Sequence, residues 1–208
     1  QGGEDRAVIL AELARMLLLA GDPRAADVYR DVVRLEPTDP TAMAMLAHAL
    51  RRSHARALEE GEPSDPREIA TAAEVMDSAL SMEPYWVWAR AERAMIALLM
   101  EQPEVALRVL EPITESMPLV WQARTKALVL LGRNREASRA GDSWLLSLGG
   151  DPSPEVILEV ARAHQLAGDD ERATELAESV LDGLPSGPSP LRTRIENILG
   201  TPNPIPAR

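Results

Sequence analysis

Apolar residues recur along this chain every three or four positions, in stretches broken by proline, glycine and acidic residues. That is the period of an amphipathic helix with one buried face. Read from gap to gap, the pattern predicts helices over 5–20, 23–36, 40–60, 66–82, 85–100, 103–117, 119–131, 134–148, 153–167, 170–183 and 189–199. Asp22-Pro23, Asp39-Pro40, Asp65-Pro66 and Ser153-Pro154 read as helix starts, with proline in the first helical position and the preceding side chain capping free amides. Gly21, Gly132 and Gly168 read as stops in the left-handed conformation. No stretch carries the period of a strand. Ten of the eleven segments pair into five helical hairpins.

The hairpins repeat. Ala25 precedes Pro37 by 12 residues, and the same spacing separates Ala72 from Pro84, Ala106 from Pro118 and Ala173 from Pro185. Pro84 and Pro118 are 34 apart, and Pro118 and Pro185 are 67 apart, close to twice that. A fixed period of this size marks a stack of helix pairs, because one pair cannot bury its apolar face alone. The first helices share a second pattern: Leu10, Leu13, Ala14, Leu17; Met43, Leu46, Ala47, Leu50; Trp121, Arg124, Thr125, Leu128; and Ile157, Val160, Ala161, His164.

On these residues, with Gly168-Asp169 as the turn, the chain resembles the tetratricopeptide repeat (TPR) family over about 5–185. The resemblance implies an all-α, right-handed α-solenoid of about five antiparallel helix pairs plus a C-terminal capping helix. The expected organisation is a frayed 1–4, a single domain over 5–199, and a Pro-rich tail over 200–208. The units fall at 5–37, 40–84, 85–118, 119–149 and 153–185, with the capping helix at 189–199. The second unit is 13 residues too long for the family, and the excess around 53–64 predicts a lengthened helix or a protruding loop. In the third unit Arg90 and Arg93 stand where large apolar residues are expected. Its first helix is therefore expected to be rotated, burying Trp88, Ala91, Met95 and Leu98. Pro112 is expected to kink the helix over 103–117.

Composition narrows the function. The 208 residues contain no Cys and no Phe, but 31 Ala and 28 Leu, as closely packed helices require. Disulfides, thiolate metal sites and a Cys nucleophile are excluded. A net charge of −11 argues against nucleic acid as a partner, which needs a basic stripe. Lys126 is the only lysine beside 21 arginines, which reads as GC-rich coding and a bacterial source. No stretch is apolar enough to span a membrane in this chain. The chain starts at Gln1, so the expectation is a soluble protein of the bacterial cytoplasm, or an exported or periplasmic one whose signal or anchor lies upstream.

No catalytic constellation emerges. His48, His54 and His164 have no metal-ligand spacing, and no nucleophile elbow, phosphate loop or dinucleotide fingerprint is present. The expectation is no enzyme, no cofactor and no metal. Inner faces of first helices line the groove of tetratricopeptide arrays. Projection from the packing positions places Arg15, Thr41, His48, Arg51, Arg52, Trp88, Met95, Gln122, Lys126, Arg162 and Gln165 there. Its arginines and Lys126, with few acids among them, point to a protein or peptide partner that is acidic or ends in a free carboxylate. Trp88 and Met95 are the apolar anchors. Arg51, Arg52, His54 and Arg56 form the densest positive patch. The resulting reading is a non-catalytic interaction scaffold: an adaptor, assembly or chaperone-like module. The alternatives are a repeat protein that self-associates into homo-oligomers through terminal hairpins, with Trp121 or Trp144 in the contact, and a regulatory or cofactor-assembly domain of a larger membrane-anchored or exported protein.

Overall fold

The computed structural model describes residues 2–114, 117–181, 183–184, 187 and 189–200, which form eleven helices and no strand. They are α1 (Gly2–Leu19), α2 (Ala25–Leu35), α3 (Pro40–Glu60), α4 (Pro66–Met82), α5 (Val87–Leu99), α6 (Pro103–Leu110), α7 (Pro118–Leu130), α8 (Asn134–Leu148), α9 (Pro154–Ala167), α10 (Asp170–Leu181) and α11 (Pro190–Gly200). The chain divides into two compact units, Gln1–Val109 and Leu110–Arg208. In the first, α1 packs on α2, α2 on α3, α3 on α4 and α4 on α5. In the second, α7, α8, α9 and α10 pack in succession, and α11 closes against α9 and α10. Pro185 and residues 201–208, which carry the last repeat spacing and most of the expected tail, lie outside the described residues.

Local chemistry explains the boundaries. Asp39 and Asp65 each accept a hydrogen bond from the amide two residues on, at 2.8 and 2.9 Å, with proline in the first turn. Asp22 accepts from the Arg24 amide instead, within a turn, so α2 begins only at Ala25. Ser153 makes no side-chain cap to α9. The excess length of the second hairpin enters α3, which runs 21 residues. Pro112 does not kink a long helix: α6 stops at Leu110, and the proline sits in the turn beyond. Ending the helix avoids the unmade hydrogen bond and ring clash that an internal proline imposes.

Small side chains set the packing. More than half of the buried apolar residues are alanine, among them Ala14, Ala47, Ala72, Ala123, Ala161 and Ala177. At Gly141 in α8 even a methyl group is excluded, because a Cβ there would lie 2.9 Å from Val160 Cγ1 of α9. The α5 face is more alanine-based than expected. Ala89, Ala94, Ile96 and Ala97 are buried together with Ala91, while Trp88, Met95 and Leu98 are only half-buried.

Arg90 and Arg124, 34 residues apart, explain the polar residue at an apolar motif position. Arg90 donates to the carbonyls of Pro84 and Val109 at 2.5 and 3.0 Å. Arg124 donates to those of Leu110 and Ile113 at 3.0 and 2.8 Å. Each guanidinium thus bonds main-chain carbonyls at or just beyond a helix end, among them Val109 in the last turn of α6, where carbonyls lack an intrahelical partner. Arg124 also lies 5.0 Å from the centre of the Trp121 ring.

Every hairpin turn uses one left-handed residue: Gly21, Gly61, Glu101, Gly132 and Gly168. Among the described residues only Glu101, at φ 57°, carries a side chain into that region. Glu101→Gly should therefore stabilise the protein by about 0.5–1 kcal/mol, raising the urea midpoint with no change in the slope of unfolding free energy against urea.

Candidate functional site

Seven of the residues projected onto the inner face belong to the first unit and four to the second. In the first unit, His48 and Arg51 of α3 converge on Glu92 of α5, whose side chain is 2% exposed. Arg51 donates through Nε to Glu92 Oε2 at 2.7 Å and through Nη2 to Oε1 at 3.4 Å. His48 Nδ1 lies 2.9 Å from Oε2, an ion-pair distance whose angle falls outside that of a hydrogen bond. Trp88 closes the cluster, its ring 5.5 Å from the His48 ring and 5.4 Å from that of Trp86. Met95 is half-buried on the same helix. Burial pushes the Glu92 carboxyl upward, but the His48 contact and the Arg51 charge outweigh it and hold the group below its ordinary value.

The positive patch in α3 is taken apart by the helical period. Arg51 turns inward to Glu92, and buried His54 bonds through Nδ1 with Ser64 Oγ. Arg56 donates to the Gly21 carbonyl and to Glu60, each at 2.8 Å. Only Arg52 stays exposed with no partner among the described residues.

Arg15 and Thr41 occupy a different place. They border an open cleft of about 550 Å³ between α1 and α3. Val8, Ala11, Val32, Ala42 and Met45 give it apolar walls, and Tyr29 of α2 lies in its floor. Tyr29 is 3% exposed, and its hydroxyl has no hydrogen-bond partner among the described residues. Burial raises the phenol's pKa, while Arg15 opposes that shift. Glu12, Glu36 and Asp39 stand on the cleft, and among the described residues its one cation, Arg15, is paired with Glu12 at 2.6 Å.

In the second unit Lys126 of α7 pairs with Glu159 of α9 at 3.2 Å. Gln165 donates to the Ile198 carbonyl at 3.1 Å, tying α9 to α11. Gln122 is half-buried, and Arg162 is exposed with no partner among the described residues. Buried His164 is bracketed by Asp169 Oδ2 at 2.9 Å and Asp142 Oδ1 at 3.1 Å. The His164 bond holds the Asp169 carboxyl below the usual carboxylate range. Trp144, an expected contact residue, is buried against Val160, Ala161 and Leu176, so it presents no surface to a second copy. Among the described residues no group of three His, Asp or Glu has the geometry of a metal site, and no helix is long and apolar enough to cross a membrane.

The projection named Arg51 and Lys126 but not the carboxylates they meet, Glu92 and Glu159. It gave Tyr29 no role. No local signal marks Glu92, which sits 41 residues from Arg51.

Glu92→Gln would keep the shape of the cluster and remove its charge, leaving Arg51 buried beside a neutral amide. The expected cost is about 3 kcal/mol at neutral pH, read from urea unfolding. A carboxyl lowered on folding stabilises above its unfolded pKa, near 4.3, and that stability is lost as pH falls through the lower folded value. The gap between wild type and variant should therefore be full at pH 7 and narrow below about pH 4.

No protein-family model matches the chain, and no curated protein matches it in sequence. Solved structures do match in fold. TTC0263, a thermophilic TPR protein in Thermus thermophilus, aligns with a TM-score of 0.67 at 18% identity, covering 94% of this chain and 100% of that one. MamA (41-end) from Desulfovibrio magneticus RS-1 aligns with a TM-score of 0.63 at 18% identity, covering 86% of this chain and 94% of that one. YrrB, a TPR protein with an unusual peptide-binding site, aligns with a TM-score of 0.61 at 15% identity, covering 94% and 92%. Identity this low carries the architecture and nothing finer. The chain has the all-α fold of the tetratricopeptide repeat proteins.

Proposed function

We propose that this chain is a non-catalytic interaction scaffold that holds a peptide segment of a partner protein in the α1–α3 cleft of its first unit. The Tyr29 hydroxyl, which makes no hydrogen bond to a described residue and lines this open cleft, carries this reading. A ligand that bonds this hydroxyl exchanges a bond to water for one to itself, a net gain of about 0.5–1.5 kcal/mol. Apolar walls around one convergent polar group are the ordinary composition of a binding site. YrrB, of the same fold, is described as having a peptide-binding site, which supports the same class of role here. An adaptor, assembly or chaperone-like task fits such a site.

The cleft's charge favours a particular segment. Three carboxylates stand on it against one arginine already paired with one of them, so a large apolar side chain next to Lys or Arg is the best complement. An acidic segment or a terminal carboxylate would instead rely on Arg52 and Arg162, because Arg15, Arg51 and Lys126 are engaged by carboxylates.

A phage-displayed peptide library panned on the full chain tests the proposal. Enriched peptides should pair an apolar residue with Lys or Arg. Their affinity should fall about 3- to 10-fold on Tyr29→Phe, the value of one hydrogen bond. It should fall at least about tenfold on Thr41→Trp, which fills the cleft from an exposed position. Enrichment of acidic peptides that bind Thr41→Trp as well as wild type would overturn it.

A further inference from the structure

Helix α2 presents a stripe of three residues to the α1–α3 cleft. Tyr29, Val32 and Glu36 all line it, and they advance by three and four residues, the spacing of one helix face. Along α2 the stripe therefore runs from a hydroxyl, through an apolar side chain, to a carboxylate.

Glu36 differs from the other two carboxylates of the cleft. Glu12 is bound by Arg15 at 2.6 Å, and Asp39 accepts the Thr41 amide at 2.8 Å as the cap of α3. Glu36 is half-buried and has no ion pair or side-chain hydrogen bond among the described residues. It is also the C-cap of α2, the end at which the helix dipole repels an anion. Partial withdrawal from water and the dipole both disfavour its charge, and no described cation offsets either. A charge held against local preference is the mark of a functional position. A cation carried in by a ligand would relieve both penalties.

Given the peptide-holding role proposed above, we infer that Glu36 is the specificity residue of the cleft. It takes the side chain of a Lys or Arg in the held segment, two residues away from the large apolar side chain that packs over Val32. The spacing follows from two lengths. Val32 and Glu36 stand four residues apart, about 6 Å along α2. An extended peptide covers that distance in about two residues, which also puts both side chains on the same side of its backbone. The Tyr29 hydroxyl, at the other end of the stripe, meets the main chain of the segment.

Parallel panning of a phage-displayed peptide library on the full wild-type chain and on Glu36→Gln tests this. Wild type should enrich peptides with Lys or Arg two positions from a large apolar residue. Glu36→Gln should keep the apolar preference and lose the basic one. Glu83→Gln, at the matching end of α4 but exposed, should select as wild type does. An enriched peptide resynthesised with both ends blocked leaves no terminal amine to take the place of its side chain. Replacing its Lys or Arg by norleucine should weaken binding to wild type at least about fivefold, but binding to Glu36→Gln less than about twofold.

Urea unfolding separates this role from a structural one. The Glu36→Gln midpoint should equal that of wild type or exceed it, because the amide removes an anion from the helix end. A carboxylate needed for folding would lower it. A lowered midpoint, or Lys and Arg enriched on Glu36→Gln as strongly as on wild type, overturns the role of Glu36 and leaves the cleft as a peptide site. A library that enriches no peptide, or only peptides that bind Thr41→Trp as well as wild type, removes the peptide site and the role of Glu36 with it.

Discussion

The architecture depends on how closely neighbouring helices approach, and that is set by methyl groups. Interaxial distances near the lower end of the usual 8–10 Å need small residues at the crossings. Here alanine supplies them, with Gly141 where Val160 leaves no room even for a Cβ. Such contacts bury little area each, so the stack gains stability from many modest burials rather than a few large ones. Alanine faces also specify register weakly, because one methyl resembles the next. Polar ties supply what they lack: Arg51 to Glu92, Lys126 to Glu159, and His164 between Asp142 and Asp169.

Those ties change the meaning of the charge distribution. Of the cations that the helical projection assigns to an inner face, Arg15, Arg51 and Lys126 meet carboxylates. The Glu92 cluster is a buried charge pair with an imidazole and two indoles beside it, whose net effect is to fix α3 against α5. The α1–α3 cleft is a different kind of feature, where Tyr29 presents a hydroxyl between apolar walls.

Helix positions were legible because punctuation is local. Proline, aspartate and left-handed glycine act within a few residues, so the reading from 134 to 148 coincides with α8 and the one from 66 to 82 with α4. The overlong reading after Pro103 treated Pro112 as a kink in a continuing helix, although the residues up to Leu110 already complete the second half of the hairpin. The site was less legible, because charge partners lie one unit away: Glu92 is 41 residues from Arg51 and Glu159 is 33 from Lys126. Periodicity shows which face a residue occupies, but not which side chain of another helix meets it there. The exposed half of α1 was hidden for the same reason. Leu13 fits the packing motif in sequence, yet in the structure it is 44% exposed.

Arg90 and Arg124 grip carbonyl oxygens rather than side chains. A main-chain acceptor is present whatever residue occupies its position, so this contact places almost no demand on the identity of its partner. A hairpin carrying such an arginine can be duplicated, transplanted or allowed to diverge without a matching change in the hairpin it leans on. Ion pairs such as Arg51 with Glu92 lack that independence, since either member is costly alone. The chain thus combines a transferable kind of joint with a bespoke kind, and the former is the better starting point for lengthening or recombining the array.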